Sequence, residues 1–265
     1  MYPDYHIHTR FSDDSSESVE AAIESAVSKG MPAVCITDHY DMDCPTGDFY
    51  LDTPAYFARL NVLKEKYDGR IDILIGVEIG AEPHLCGSGT VERYLQEYPF
   101  EYVILSDHFV DRIDPYYRDR LPISDEEMYG RYFAQLREVI CGIDGYHTAA
   151  HLDYVARYGY DGGKACTYEN YREPIDAILE HIIDKGLILE VNTAGYRKGL
   201  SYPNPQQAIL RRYRELGGDR IILGSDAHAA ADVGADFERA AELLRSLGFR
   251  YLTVPVRNTE RQIPL

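Results

Sequence analysis

The chain has 265 residues, enough to bury one substantial core, and 45% of them are hydrophobic, as in a globular enzyme. Its formal net charge of −17 would repel a phosphate backbone, which argues against nucleic acid as a partner. The sequence contains no apolar run close to the ~20 residues that a membrane-spanning helix needs, so no membrane partner is expected.

The cysteines and the N-terminal residues indicate the compartment. The five cysteines are odd in number and form no C-x-x-C pair, which argues against a disulfide framework and against a thiolate zinc site. The first residues show neither the basic region nor the apolar run of a secretory signal. We therefore expect reduced cysteines and a cytoplasmic protein. Since no repeat or linker divides the sequence, residues 1–265 are expected to form a single domain, and the oligomeric state stays open.

Apolar, β-branched runs alternate with helical patterns along the chain. The first helix is predicted from the apolar spacing of residues 19–27, with Gly30 at its end. Thr53 is expected to cap the next helix, and Ser124 with Glu127 fits a capping box further on. This alternation predicts a parallel sheet covered by helices. The expected strands are residues 2–8, 33–37, 71–77, 101–105, 146–150, 187–191 and 220–224.

Three further segments complete the predicted organisation. Residues 249–254 are expected to form another strand that pairs at the end of the chain. The longest irregular stretches are residues 40–52 and 109–123, and each follows a predicted strand. Because loops of this length in a compact domain usually carry function, both are interpreted as active-site loops.

Every predicted strand ends in polar side chains, and six of the nine histidines lie at such ends. In parallel α/β folds, the carboxyl ends of the strands meet at one edge, where site residues converge. Side chains alternate along a strand, so His6 and His8 point to the same face and can bind one cation together. Imidazoles mixed with carboxylates, without thiolates, suit zinc, manganese or iron. The polar ends are His6 and His8, Asp38 and His39, Glu78, Asp107 and His108, His151, Glu190 and Asn192, and Asp226 and His228.

The ordered motifs of the chain resemble those of the PHP (polymerase and histidinol phosphatase) family. The resemblance spans nearly the whole sequence and implies a distorted (β/α)7 barrel with three metal ions at the C-terminal ends of the strands. The matching segments are His6-Ile7-His8-Thr9, Ser12-Asp13-Asp14-Ser15, Ile36-Thr37-Asp38-His39, Gly76-Val77-Glu78, His108, His151 and Ser225-Asp226-Ala227-His228.

The resemblance also implies a ligand set. His6, His8, Glu78 and Asp226 would hold one metal, Glu78, His108 and His151 a second, and Asp14, His39 and His228 a third. Asp13 competes with Asp14 for the third site, and Asp14 keeps the S-x-D spacing of the family. Glu78 and Asp226 are also the candidate catalytic carboxylates. Asp38 and Glu190 are expected to lie behind the ligands and orient imidazoles. Two to three divalent zinc, manganese or iron ions are therefore expected.

Two segments resemble the histidinol-phosphatase branch in particular, residues 151–157 and residues 189–203. By that resemblance Arg157 and Arg197 would bind the substrate phosphate, for which a planar guanidinium is suited. Arg197 is the stronger candidate on sequence grounds. Tyr116 and Tyr117, in the loop after the fourth predicted strand, are candidates for contacting the amino-alcohol end of the substrate.

The resemblance thus predicts a phosphomonoesterase for a small substrate, with L-histidinol phosphate, an intermediate of histidine biosynthesis, as the expected one. Asp107 departs from the pattern of that branch and loosens the choice of substrate. One alternative is another activity of the same family, a nucleotide phosphatase or an exonuclease. A second is an amidohydrolase, which also begins with H-x-H, although no lysine lies at a predicted strand end here. A third is a catalytically silent metal-binding module.

Overall fold

The computed structural model describes residues 1–256 and 259–265. Its strands are β1 Ala33–Ile36, β2 His39–Asp41, β3 Asp72–Gly80, β4 Tyr102–Ser106, β5 Thr148–Ala149, β6 Ile188–Asn192, β7 Ile221–Gly224, β8 Tyr251–Val256 and β9 Thr259–Pro264. Its α-helices are α1 Val19–Ser28, α2 Thr53–Lys66, α3 Thr90–Glu97, α4 Asp125–Gly142, α5 Arg172–Asp184, α6 Ala194–Arg197, α7 Gln207–Glu215 and α8 Phe237–Ser246. Short 3-10 turns cover Pro83–Leu85, Pro115–Arg120, Tyr154–Tyr158 and Ala230–Asp232.

The main sheet is parallel, in the order β1-β3-β4-β5-β6-β7, and β2 also pairs with β3. Because Ile36 pairs with Ile75 and His39 with Glu78, β1 and β2 are two parts of one interrupted strand beside β3. All residues of β1, β4, β6 and β7 are buried, as expected for a parallel sheet covered on both faces.

The first predicted strand closes the sheet, although it is not a regular strand. Asp4 bridges Val34 on β1, and Ile7 bridges Ala227 just after β7, both in parallel orientation. Side chains replace several of the ladder hydrogen bonds: the Ile7 amide donates to Thr37 Oγ1 at 3.0 Å. The segment therefore lies between the two edges of the sheet, and the predicted distorted (β/α)7 barrel is confirmed.

The sequence predicts capping residues at the starts of two helices, α2 and α4. Ser124 caps α4, since its hydroxyl accepts from the Glu127 amide at 3.1 Å. The expected cap at Thr53 is wrong: Thr53 is the first residue of α2, and Asp52 accepts from the Ala55 amide at 3.2 Å. An aspartate is the better cap because its carboxylate is a stronger acceptor at the positive end of the helix.

The C-terminal strand pairs antiparallel with a further strand, as β8 and β9. The hairpin packs against the barrel, where the buried Tyr5 hydroxyl donates to the carbonyl oxygen of Pro255. In the described part of the chain, none of the helices combines the length and apolar character needed to cross a bilayer. All five cysteines carry free thiols.

Candidate metal centre

The predicted ligands converge on the rim formed by the carboxyl ends of the barrel strands. His6 and His8 come from the first extended segment, and the loop that follows it carries Asp14. Strands β2 and β3 provide His39 and Glu78 themselves. The remaining four follow β4, β5 and β7: they are His108, His151, Asp226 and His228.

Glu78 is fully buried at the centre of this rim, with one carboxylate oxygen facing each of two histidine pairs. Its Oε2 lies 2.9 Å from His6 Nε2 and 3.3 Å from His8 Nε2. Its Oε1 lies 2.9 Å from His151 Nε2 and 3.2 Å from His108 Nε2. This arrangement is what a carboxylate bridging two cations requires.

Asp226 completes the group around the first histidine pair. Its Oδ1 lies 3.3 Å from His8 Nε2 and 3.9 Å from His6 Nε2. The ligand atoms of these three residues all lie within 4.8 Å of one another, a spacing that one metal ion can span. Asp226 adopts a positive φ of 53°, which is uncommon outside glycine and turns its side chain at the end of β7.

A third group lies at the more exposed side of the rim. Asp14 Oδ2 lies 2.9 Å from His228 Nε2 and 3.7 Å from His39 Nε2. The neighbouring Asp13 instead accepts a hydrogen bond from the backbone amide of Phe49. His39 also reaches the centre, since its Nδ1 lies 3.2 Å from Glu78 Oε2.

Glu190 lies behind the first group, as the sequence predicts for an orienting carboxylate. Its Oε1 lies 2.5 Å from His6 Nδ1, the ring nitrogen that points away from Glu78. Its Oε2 accepts from the backbone amide of His151 at 3.0 Å. A carboxylate in this position fixes the tautomer and the orientation of a metal-binding imidazole.

Asp38 is linked to His8 through Ser12 and does not make the expected direct contact with an imidazole. It accepts from the Thr9 amide at 2.6 Å and from the Ser12 hydroxyl at 2.7 Å. The Ser12 oxygen in turn lies 3.2 Å from His8 Nδ1. Asp38 therefore holds the loop and the hydroxyl that contact His8, rather than the ring itself.

Sequence reasoning missed Asp41. This buried carboxylate lies 2.9 Å from His108 Nδ1, in the same relation to His108 as Glu190 has to His6. A usable signal was present, because Asp41 follows His39 by two residues and alternation places both on the same face. The prediction of a loop over residues 40–52 hides this alternation.

Two strand glycines leave room for the orienting carboxylates. A Cβ on Gly80 would lie 2.1 Å from Asp41 Oδ1, and a Cβ on Gly224 would lie 2.2 Å from Glu190 Oε1. Real Cβ atoms do not approach other atoms so closely, so a side chain at either position would displace the carboxylate. Glycine at these positions is therefore required by the carboxylates that hold His108 and His6.

Charges within the rim are strongly coupled. Burial alone would raise the pKa of Glu78, but the imidazoles of His6, His39 and His108 hold it well below its usual value. Burial likewise opposes ionisation of Asp226, and His6 and His8 overcome it, so this pKa is also well below the usual range. Burial would lower the pKa of His8, but the carboxylates of Asp226 and Glu78, each 3.3 Å from its Nε2, raise it to about 9. Without a metal the low pKa values of Glu78 and Asp226 thus face raised pKa values of His6, His8 and His108, whereas burial lowers the pKa of His151.

The donor set fits transition-metal ions. Among the described residues, the buried ring nitrogens His8 Nε2 and His39 Nδ1 have no hydrogen-bond partner, although carboxylates lie nearby. A buried polar atom without a partner is costly, and a cation between these groups would satisfy it. Imidazole nitrogens and carboxylate oxygens are the ligands that zinc, manganese and iron accept.

The rim opens into a cavity of about 830 Å³. Both long loops, 40–52 and 109–123, contribute to its walls, as does the turn Tyr154–Tyr158. Arg157 lies in the wall with its guanidinium 4.4 Å above the ring of Tyr154. Its buried Nε and Nη2 atoms have no partner among the described residues. An unpaired buried guanidinium beside a metal rim is suited to an anionic ligand.

Arg197 is placed differently, outside the cavity lining. Its Nη2 donates to the carbonyl oxygen of Ser225 at 2.5 Å. Its other guanidinium nitrogens lie 3.5 Å from Asp236 and 3.8 Å from Asp232. The guanidinium is therefore engaged in internal contacts, one residue from Asp226.

Several known proteins with similar sequences are named histidinol-phosphatase or probable histidinol-phosphatase. The chain is 32% identical to a histidinol-phosphatase of Lactococcus lactis subsp. lactis (strain IL1403) over 254 residues, which cover 94% of this chain and 92% of that protein. It is also 32% identical to a probable histidinol-phosphatase of Thermotoga maritima, over 95% of this chain and 94% of that protein.

Solved structures agree with these relatives. The crystal structure of histidinol phosphate phosphatase from Lactococcus lactis, complexed with zinc, L-histidinol and phosphate, matches with a TM-score of 0.85 and 29% identity over 98% of this chain and all of that one. A putative histidinol phosphatase from Listeria monocytogenes, at 21% identity and a TM-score of 0.79 over 89% of this chain and 99% of that one, shares the fold.

The PHP domain family matches residues 4–194. The matched region begins at the first bridge of the barrel and ends where α6 starts, so it contains seven of the nine proposed ligands. The other two, Asp226 and His228, lie beyond it at the end of β7 and complete the same rim. The chain belongs to the PHP domain family.

Proposed function

We propose that the protein hydrolyses L-histidinol phosphate to L-histidinol and phosphate, as a metal-dependent phosphomonoesterase of histidine biosynthesis. The observation that carries this proposal is the placement of Glu78, whose two carboxylate oxygens face two separate histidine pairs at the floor of a cavity that also holds an unpaired arginine. The zinc, L-histidinol and phosphate bound to the Lactococcus lactis relative support the same chemistry.

We assign two to three divalent ions, zinc, manganese or iron, to the rim. The first would be held by His6, His8, Glu78 and Asp226, the second by Glu78, His108 and His151, and the third by Asp14, His39 and His228. When bound, such ions supply positive charge that stabilises the phosphoryl oxygens during hydrolysis. The distances around Glu78 and Asp14 support these three groups.

The chain itself would orient the substrate and exchange protons. Arg157, unpaired and facing the cavity, is positioned to bind the phosphate through a bidentate pair. We assign Arg197 a second contact at the rim, because its bond to Ser225 keeps it beside Asp226. Asp226 is the carboxylate assigned to exchange a proton with the reacting oxygens. Glu78 keeps the two histidine pairs at a fixed distance from each other.

A turnover screen tests the proposal. Purified protein would be assayed against L-histidinol phosphate, nucleoside monophosphates and sugar phosphates, after chelation and after readdition of zinc, manganese or iron. We expect the highest kcat/KM for L-histidinol phosphate, loss of turnover on chelation and recovery with metal. Higher kcat/KM for nucleotides would favour the nucleotide phosphatase alternative, and metal binding without turnover of any ester would indicate a silent module.

We further propose that residues 1–265 form one domain and that the protein acts in the cytoplasm. The C-terminal hairpin supports the first point, because Leu252 and Val254 of β8 belong to the same buried core as the barrel strands. The second rests on the proposed substrate, a biosynthetic intermediate.

A further inference from the structure

Seven carboxylates line the cavity, and Asp114 differs from the other six. Three belong to the proposed metal ligands, and Asp41 contacts His108. Two more, Asp13 and Asp48, are exposed to solvent. Asp114 is partly buried and forms no ion pair with a described residue. It is therefore the carboxylate of the cavity wall whose charge is left for a ligand.

The orientation of Asp114 is fixed by the backbone that follows it. One carboxylate oxygen accepts from the Tyr116 amide at 2.8 Å, so Asp114 caps the turn Pro115–Arg120. Burial raises the pKa of Asp114, and positive charge on His108 and Arg157 opposes that rise through space. A further cation close to this carboxylate would favour its ionised form in the same way.

In the wall of the same cavity, the partly buried Arg157 and the partly buried Asp114 both lack an ion pair with a described residue. Arg157 lies on one wall above Tyr154, and Asp114 lies on the loop that carries the exposed rings of Tyr116 and Tyr117. An amino-alcohol phosphate carries the complementary charges, an anionic phosphoryl group and a cationic ammonium group. Aromatic rings next to the carboxylate would add favourable contact with the cation and with a planar ring.

We infer that Asp114 binds the ammonium group of the substrate and so determines specificity for phosphate esters of amino alcohols. This inference rests on the proposed function. It assigns Arg157 to one end of the substrate and Asp114 to the other, while the metal rim faces the ester. Esters of similar size without an amino group would leave the Asp114 carboxylate unpaired in the closed complex, which disfavours them.

Asp114→Asn tests the inference, because asparagine keeps a capping oxygen for Tyr116 and removes only the charge. Because hydrogen bonds to charged groups contribute more than neutral ones, kcat/KM for L-histidinol phosphate should fall roughly tenfold to hundredfold. The loss should appear mainly in KM, since the ammonium group does not take part in the chemical step. For the desamino analogue of the substrate, which keeps the imidazole and the phosphate, kcat/KM should stay the same or rise in Asp114→Asn, because the variant leaves no charge unpaired.

Asp119→Asn is the matched control. Asp119 lies in the same turn, accepts from the Tyr160 hydroxyl at 2.8 Å and does not line the cavity, so turnover of both esters should stay unchanged. The inference is overturned if Asp114→Asn lowers turnover of the two esters equally, which would indicate a structural role, or of neither. If the wild-type protein turns over neither ester, the proposed function itself fails, so the two failures are distinguishable.

Discussion

Glu78 connects more of the site than any other residue described. Its two oxygens lie 2.9–3.3 Å from five histidine nitrogens, and it has no exposed surface. An amide at this position could accept on one side only, and its NH2 group would point toward the other histidine pair. The centre therefore requires both the length and the negative charge of a glutamate at this position.

Glu78→Gln should consequently be the most damaging change to a single ligand. We expect the purified variant to lose at least about one equivalent of metal and nearly all turnover. Glutamine has a single side-chain oxygen, which cannot replace the two carboxylate oxygens that face separate ions. Elemental analysis of protein purified without chelator, followed by an assay, measures both. The exposed Glu180 offers a control, and Glu180→Gln should change neither. Near-normal metal content and turnover in Glu78→Gln would remove Glu78 from the site.

Arg157 and Arg197 are both assigned a contact with the substrate phosphate. Replacing either Arg157 or Arg197 with alanine should lower kcat/KM by about a hundredfold or more, comparable to loss of one transition-state donor, with metal content unchanged. Lysine should restore only part of the loss, because it keeps the charge but not the bidentate fork. Steady-state kinetics and elemental analysis of the four variants provide the test.

The different surroundings of Arg157 and Arg197 define the results that would contradict each phosphate contact. Arg197 also contacts Ser225 and two carboxylates, so its alanine variant should melt at a lower temperature than that of Arg157. A less stable Arg197→Ala variant with wild-type turnover would show that Arg197 only ties the loop after β7. Wild-type turnover in Arg157→Ala would remove the phosphate contact from the cavity wall.

Strand pairing determines where the orienting carboxylates fit. In the register of β2 with β3, Asp41 lies directly opposite Gly80, which has no side chain to compete for that space. Strands β6 and β7 differ in register, because Glu190 pairs with Ile222, but Gly224, two residues further along β7, leaves the space that the Glu190 carboxylate occupies. Strand glycines thus position the carboxylates, and the carboxylates orient the metal-facing imidazoles.

Gly80→Ala should therefore weaken metal binding without touching a ligand. The new Cβ would displace Asp41 from His108, and loss of such an outer contact typically costs tenfold to hundredfold in metal affinity, so we expect an effect of about that size. Competition with a chromophoric chelator measures it. Gly130→Ala in α4 is the control, because its Cβ would meet only Tyr171 at 3.6 Å. That helix should gain up to about 1 kcal/mol in stability. Equal metal affinity in Gly80→Ala and wild type would contradict the role of Asp41.

At the scale of the whole molecule, the stability of the metal-free protein depends on pH. In the metal-free protein the pKa of His8 is raised to about 9, above its ordinary value near 6.5. Its protonation therefore stabilises the metal-free fold fully below about pH 6.5, and this contribution is lost as the pH rises through about 9. A metal ion must displace that proton, since only the neutral imidazole is a ligand.

Zinc binding to the metal-free protein near neutral pH should accordingly release protons, and the apparent affinity should rise with pH up to about 9. Calorimetric titration in two buffers with different ionisation enthalpies measures the number of protons released. His181→Gln provides a control, because His181 lies on α5 away from the rim and should leave that number unchanged. Binding without proton release would contradict the protonated state of His8.

Much of the rim could be predicted from the sequence because two simple rules apply to it. Side chains alternate along a strand, and the carboxyl ends of parallel strands meet at one edge, so polar residues after apolar runs indicate shared space. These rules alone predict that His6, Glu78, His108 and Asp226 lie together. The family resemblance added their grouping, which the distances around Glu78 support.

Only the tertiary structure identified Asp41 and Asp114 and distinguished the surroundings of the two arginines. Their roles depend on what lies near them in the folded barrel. The carboxylate of Asp41 contacts the ring of His108, Asp114 has no ion-pair partner among the described residues, and Arg197 contacts Ser225 and nearby carboxylates. Such contacts join residues that are far apart in the chain: alternation gives the face of Asp41 but not its partner, and Asp114 lies in an irregular loop where no periodicity predicts direction. Sequence patterns report the face on which a side chain lies, but pairing across space is decided by how the barrel closes and its loops pack.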